Sequence, residues 1–152
     1  MKILYSNLRL ITILLMVVFS TCNIVFANDW LEDYQQAVKI ASESDKMILM
    51  NFTGSDWCGW CIRLDKEVFS TATFKKYAEE NLVLLKIDFP RRITQTNELR
   101  QQNADLQRTH NIRGYPTIVL LDKDEKVVAQ TGYMKGGASN YVKNLERAIG
   151  KK

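Results

Sequence analysis

Cys58 and Cys61 stand three residues apart in Trp57-Cys58-Gly59-Trp60-Cys61, and that spacing carries a specific chemistry. At the start of a helix, residues i and i+3 bring their Cα atoms to about 5 Å, inside the window a disulfide requires. The pair can therefore open and close without moving the backbone. A cysteine at a helix N-terminus sits among unpaired N–H groups at the positive end of the dipole. Both stabilise the thiolate, the species that attacks disulfides. Cys58 is thus the expected nucleophile, and Cys61, one turn in and less exposed, the thiol that resolves the mixed disulfide. Three other uses compete. A static disulfide across so short a loop contributes the least loop entropy. A zinc half-site needs further ligands, and beyond Cys22 the chain offers only His110. Packing cysteines would have no need of two tryptophans and a helix start around them. A redox couple is the reading these residues favour.

The third cysteine, Cys22, falls in a segment of different character. Lys2 and Arg9 precede an apolar run over residues 10–19, and small and polar residues follow up to Val25-Phe26-Ala27. This is the order of a secretory signal peptide, with cleavage expected after Ala27. An apolar core of ten residues is short for a membrane span, which takes about 20. Two alternatives are an uncleaved anchor, if the whole of residues 10–27 inserts, and lipidation of Cys22. The second lacks the aliphatic and very small residues such a site carries. Removing residues 1–27 from the 152 leaves 125, one domain's length, and lowers the net charge from +4 to +2 as Lys2 and Arg9 go. A nucleic-acid-binding face is not indicated. Export to the periplasm places the remaining pair in an oxidising space.

The elements that must position the pair alternate helix and strand. Asn28 or Asp29 can cap a helix that puts Trp30, Tyr34, Ala37, Val38 and Ala41 on one face. Residues 47–52 form a nearly continuous apolar run, as in a central strand covered on both sides. Thr53-Gly54-Ser55-Asp56 breaks it. One helix then runs from near Cys58 through Leu64 and Val68, and a second covers 71–81. A strand over 82–89 ends at Pro90, residues 91–96 are an irregular polar loop, and 97–109 form an exposed helix. Strands 117–121 and 127–131 flank a polar turn in a hairpin, and Ser139 can cap a last helix after the Gly136-Gly137 loop. The fold class expected is α/β, a central mixed sheet with helices on both faces.

Trp-Cys-x-x-Cys after an apolar strand, with Gly114-Tyr115-Pro116-Thr117 entering a later strand, resembles the thioredoxin superfamily over nearly the whole chain after residue 27. More narrowly, Asp56-Trp57-Cys58, Glu67-Val68-Phe69-Ser70, Asp88 and Gly132-Tyr133-Met134 are similar to the periplasmic C-terminal thioredoxin domain of DsbD-type electron carriers and to small exported relatives. The resemblance implies the thioredoxin fold and a cis Pro116 facing the cysteines. The backbone of Tyr115 would then pair with an extended substrate as an added strand. Otherwise Pro116 is an ordinary trans proline opening an edge strand. Trp57, Gly59, Trp60, Tyr115 and Pro116 are the expected substrate-contacting residues, the tryptophans forming an apolar rim.

Some positions depart from the family pattern. Asn51 stands where typical thioredoxins carry a buried acid that moves the proton of the resolving cysteine, with one extra residue in the loop that follows. Asp56 is the nearest acid to Cys58 in sequence and reads as a loop residue, while Arg63 and Lys66 favour the thiolate if they turn toward it. His110 reads as a helix C-terminal residue. Only 55 positions separate Cys61 from Pro116, too few for the long helical insertion of DsbA-type oxidants. The expected function is thiol:disulfide oxidoreductase acting as a reductase. Its expected partners are disulfide-containing exported proteins and a membrane electron donor of the DsbD type. A monomer is expected, without cofactor, metal or nucleic acid. A dithiol oxidase or isomerase, and a client-binding module without turnover, are the alternatives.

Overall fold

The computed structural model describes residues 30–150. Residues 1–27, read as a signal peptide and including Cys22, and Asn28 and Asp29, read as helix caps, lie outside the described residues. Four strands form one sheet in the order β2-β1-β3-β4: β1 (Met47–Thr53), β2 (Leu82–Asp88), β3 (Thr117–Leu121) and β4 (Val127–Thr131). β1 pairs parallel with β2 from Met47↔Leu82 to Thr53↔Asp88, and antiparallel with β3 from Ile48↔Leu121 to Phe52↔Thr117. The β3–β4 hairpin is antiparallel, with an irregularity at Leu120/Leu121. The sheet is mixed and helices cover both faces, as expected.

Alternation along β1 divides the core in two. Leu49 points to one side with Leu84, Ile118 and Leu120; there they meet Leu64 of α2 (Gly59–Leu64), Phe74 and Tyr77 of α3 (Ala72–Asn81), and Tyr141 and Leu145 of α5 (Gly137–Ala148). Ile48, Met50 and Phe52 point to the other, against Ala37 and Ala41 of α1 (Tyr34–Ser44) and Leu106 of α4 (Asn97–Thr109). A strand buried on both faces calls for apolar residues along its length, which explains the nearly continuous apolar run read in the sequence. Asn51 is its one interruption.

Three expectations are corrected. The first helix starts at Tyr34, where the Asp33 carboxylate accepts from the Gln36 amide at 2.9 Å. Trp30 is not on its face but packs edge-on against Phe69, centroids 5.1 Å apart, in the opposite layer. The reason is Leu31, which pairs with the outer edge of β2: its N–H donates to Leu84 O at 2.9 Å and its carbonyl accepts from Lys86 N at 2.8 Å. Extended pairing there satisfies two edge groups of the sheet.

The helix after Cys58 is α-helical only to Leu64 and widens into a π turn over Asp65–Phe69. The extra residue lets both Val68 and Phe69 reach the core. Ser139 does not cap the last helix. Gly136, at φ 107°, precedes a helix that begins at Gly137, and a Cβ at Gly136 would stand 3.0 Å from Asn140.

Leu64 is fully buried and seats α2, with Cys61 on it, against the sheet. Replacing it with alanine is expected to cost about 2–5 kcal/mol of unfolding free energy. Urea denaturation should show a lower midpoint with an unchanged slope.

Candidate active site

The site begins where β1 runs out. Past Thr53, the Gly54 carbonyl accepts from both Trp57 N at 3.2 Å and Cys58 N at 2.9 Å, folding the chain into a tight turn. Only glycine fits there, because a Cβ on Gly54 would lie 2.4 Å from Cε2 of Trp57. The turn delivers Cys58 as the N-cap of α2, with extended backbone (φ −87°, ψ 103°). Its sulfur accepts from the Cys61 N–H at 3.2 Å, and its carbonyl accepts from Cys61 N and Ile62 N at 3.0 Å each. Cys58 and Cys61 form a disulfide with Cα atoms 5.2 Å apart. Cys61 is less exposed by little, 5% against 7% for Cys58. What distinguishes the sulfurs is the N–H that the Cys58 sulfur receives.

Each flank of the pair is an aromatic group with an arginine on it. On one side the Trp57 indole N–H donates to the Phe89 carbonyl at 2.7 Å, and the Arg91 guanidinium lies 4.1 Å over the indole. Tyr115 meets Trp57 edge-on at 5.8 Å and Phe89 at 5.3 Å, while its hydroxyl accepts from Gln107 at 2.9 Å. The Tyr115–Pro116 bond is cis, as the resemblance implied. On the other side Trp60, 53% exposed, stands 5.1 Å from the Tyr133 ring, and the Arg63 guanidinium covers both rings. Gly59 is exposed and has open space where a side chain would go.

Residues 34–148 match the thioredoxin-like domain family. The chain belongs to that family. It is 34% identical over 126 residues to the disulfide bond reductase DsbH of Chlamydia pneumoniae, covering 83% of this chain and 76% of that protein. A solved structure of a DsbH oxidoreductase superimposes with a TM-score of 0.78 at 33% identity, over 88% of this chain and 92% of the other. The oxidised C-terminal domain of DsbD from Neisseria meningitidis shares the fold, with a TM-score of 0.52 at 14% identity over 75% and 90% of the two chains. This thioredoxin-like protein is a thiol:disulfide oxidoreductase.

The remaining candidate residues have other partners. The Asn51 side-chain oxygen is buried on β1 with no hydrogen-bond donor. The Asp56 carboxylate accepts from the backbone N–H of Arg91 at 3.0 Å and of Arg92 at 2.6 Å. These amides hold it below its ordinary pKa of 3.8 and tie the loop after β2 to the turn before Cys58. Arg63 is drawn to Glu67, Nε to Oε1 at 2.7 Å, and Lys66 lies exposed on the π turn. His110 ends α4 as expected, its ring 6.1 Å from Phe52, and burial lowers its pKa. No group of three or more potential metal ligands is present among the described residues.

Two further groups were not assigned a role from the sequence. Asp88, only 5% exposed, accepts from Ser55 N at 2.9 Å and Ser55 Oγ at 2.5 Å, while its carbonyl accepts from the buried Asn103 side chain at 2.9 Å. Glu67 accepts from the Tyr133 hydroxyl at 2.7 Å as well as from Arg63; the two donors, Tyr133 foremost, hold its carboxyl below the usual range. The Arg63–Glu67 spacing of four on a helix is a legible signal. Nothing local in the sequence joins Glu67 to Tyr133 or Asp88 to Ser55.

Gly54→Ala is expected to push the Trp57 indole out of place, shift its fluorescence and cost about 1–3 kcal/mol in denaturant unfolding. Asp56→Ala removes the acceptor of two loop amides, so hydrogen exchange at Arg91 and Arg92 should quicken at neutral pH. Because Asp56 is held low, its anchoring is complete above 3.8 and is lost only as pH falls through its lower folded value. Wild-type exchange at these amides, corrected for intrinsic rate, should rise only in that acid range.

Proposed function

We propose that this chain is an exported protein-disulfide reductase working in the periplasm, with residues 1–27 as its signal peptide and residues 28–152 as the catalytic domain. The Cys61 N–H donated to the Cys58 sulfur carries the reading, since a donor held at that sulfur by the first helical turn stabilises it as thiolate. The Cys58 thiolate attacks one sulfur of the partner's disulfide. A Cys58–partner bond forms, and the partner's other sulfur leaves as a thiolate that takes up a proton. Cys61, having lost its proton, then attacks the Cys58 sulfur. The Cys58–Cys61 bond forms and the partner's second sulfur leaves as a thiol. Two electrons pass from the chain's dithiol to the partner.

The direction rests on similarity to a relative named a disulfide bond reductase and on the short path from Cys61 to Pro116, filled by α3, β2 and α4. Trp57, Gly59, Trp60, Tyr115 and Pro116 bound the surface on which a partner segment lies, the Tyr115 backbone offering main-chain pairing. A reductase in an oxidising space must be recharged, and a membrane donor of the DsbD type is the partner this requires. No helix among the described residues is long and apolar enough to cross a membrane.

The purified, prereduced chain should reduce insulin. Cys58→Ser should lower that rate to background, and Cys61→Ser should accumulate the mixed disulfide, visible as a reducible adduct in gels. Alkylation trapping in growing cells should find the pair mainly reduced. Failure to reduce insulin, or a fully oxidised pair in cells, overturns the reading.

A further inference from the structure

The two tryptophans beside the couple are held in different ways. Trp57 is fixed by a hydrogen bond from its indole N–H to the Phe89 carbonyl at 2.7 Å. Trp60 stands between the cysteines and is 53% exposed, on the surface that a partner's disulfide approaches. Among the described residues it is held by ring contacts alone: the Tyr133 ring at 5.1 Å and the Arg63 guanidinium at 5.5 Å from its centroid. Such contacts leave an exposed side chain free to turn unless the groups that make them are themselves fixed.

Glu67 fixes both groups. Its Oε1 accepts from Arg63 Nε and its Oε2 from the Tyr133 hydroxyl, each at 2.7 Å. The donors come from distant parts of the chain: Arg63 lies one turn earlier on α2, whereas Tyr133 follows β4, 66 residues beyond Glu67. Arg63 also lies 5.4 Å from the centre of the Tyr133 ring. Glu67, Arg63, Trp60 and Tyr133 thus close a ring of contacts, and the carboxylate is the member that holds two of the others by hydrogen bonds. Lys66 acts on the same carboxylate by charge alone.

Stability gives little reason for this arrangement. Arg63 is exposed and Glu67 half-buried, a setting in which an ion pair adds little to folding. The Tyr133 ring already packs against the core. What the carboxylate adds is position.

We propose that Glu67 is a positioning residue for the Trp60 side of the couple. Through Arg63 and Tyr133 it holds the indole as a fixed face on which an apolar side chain next to the partner's disulfide packs. A face fixed in advance spares the complex the ordering of those side chains on docking. This inference rests on the reductase reading and names what the Trp60 side of that same site takes.

Two disulfides test it on the prereduced full chain. One is bis(hydroxyethyl) disulfide, which brings no side chain to pack; the other is a synthetic peptide whose cysteine, flanked by leucines, is linked to a fluorescent reporter thiol. Glu67→Gln keeps the size of the side chain but offers one acceptor oxygen in place of two. It should lower the rate constant for the peptide, relative to that for the small disulfide, about fivefold. Equal losses on both disulfides, or no loss on either, overturn the inference. Tyr133→Phe keeps the ring and removes one donor, so it should lower the same ratio. The two substitutions together should do little more than either alone, because they break one unit; losses that multiply overturn it. NMR relaxation of the indole N–H groups should show Trp60 more mobile in Glu67→Gln and Trp57 unaltered. An equally rigid Trp60 overturns the inference.

Binding of the same peptide to the Cys58→Ser, Cys61→Ser chain separates the two readings. Binding weakened about fivefold by Glu67→Gln, without turnover by the wild type, upholds the positioning role and overturns the reductase. Turnover by the wild type with a peptide preference that Glu67→Gln leaves unaltered overturns the positioning role and leaves the reductase standing.

Discussion

One N–H to one sulfur is the contact on which the rest of this molecule turns. The amide of Cys61 donates to Cys58 Sγ only because Cys58 is the N-cap of α2, so that the first helical turn closes on its side chain. An N-cap of this kind is ordinarily Ser, Thr, Asp or Asn, whose oxygen satisfies an orphan donor. A sulfur in the same place accepts more weakly in the neutral state and more strongly as a thiolate, so the helix favours the ionised form. To hold that geometry the chain must stop β1 at Thr53, reverse within Gly54–Cys58 and start α2 with Leu64 facing the core. The double-sided burial of β1 and the steric requirement at Gly54 are both in the service of this one cap.

The two-layer core and the cysteine pair were legible because both are written in short-range pattern. A nearly continuous apolar run along β1 implies cover on both faces, and a spacing of three at a helix start implies two sulfurs within bonding reach. The strands 117–121 and 127–131 and the helix 97–109 were read with their observed bounds for the same reason, since turn residues bracket them. Where the reading failed, a distant partner outweighed local pattern. Trp30 has helical spacing to Tyr34, yet Leu31 finds an unpaired sheet edge at Leu84 and Lys86, and the indole goes to Phe69. Ser139 is a good cap by type, but the left-handed backbone of Gly136 starts the helix earlier.

The surroundings of the couple were least legible, because they are joined across long stretches of chain. Asp56 to Arg91 spans 35 residues, Asp88 to Ser55 spans 33, and Glu67 to Tyr133 spans 66. The first two fasten the end of β2 and the loop after it to the turn before Cys58, and the third fastens Tyr133 to the π turn that continues α2. Such contacts are set by the sheet order, which brings the ends of β1 and β2 together and places the chain after β4 beside α2. No propensity or spacing rule encodes them.

Asn51 shows how this chain differs electrostatically from the pattern of its family. A buried acid on β1 would add a titrating group to the couple from within the low-dielectric core, where its effect is strong and insensitive to salt. Asn51 brings only a dipole, with an oxygen that has no donor. The arginines that touch the flanking aromatic rings lie outside the core: Arg63 over Trp60 and Tyr133, and Arg91 over Trp57. Charges at the rim act through solvent, so salt weakens them, and they act on an incoming partner as readily as on the sulfurs. In this chain the position read as the family's buried acid holds no charge, and the guanidinium groups lie on the aromatic rings that flank the couple.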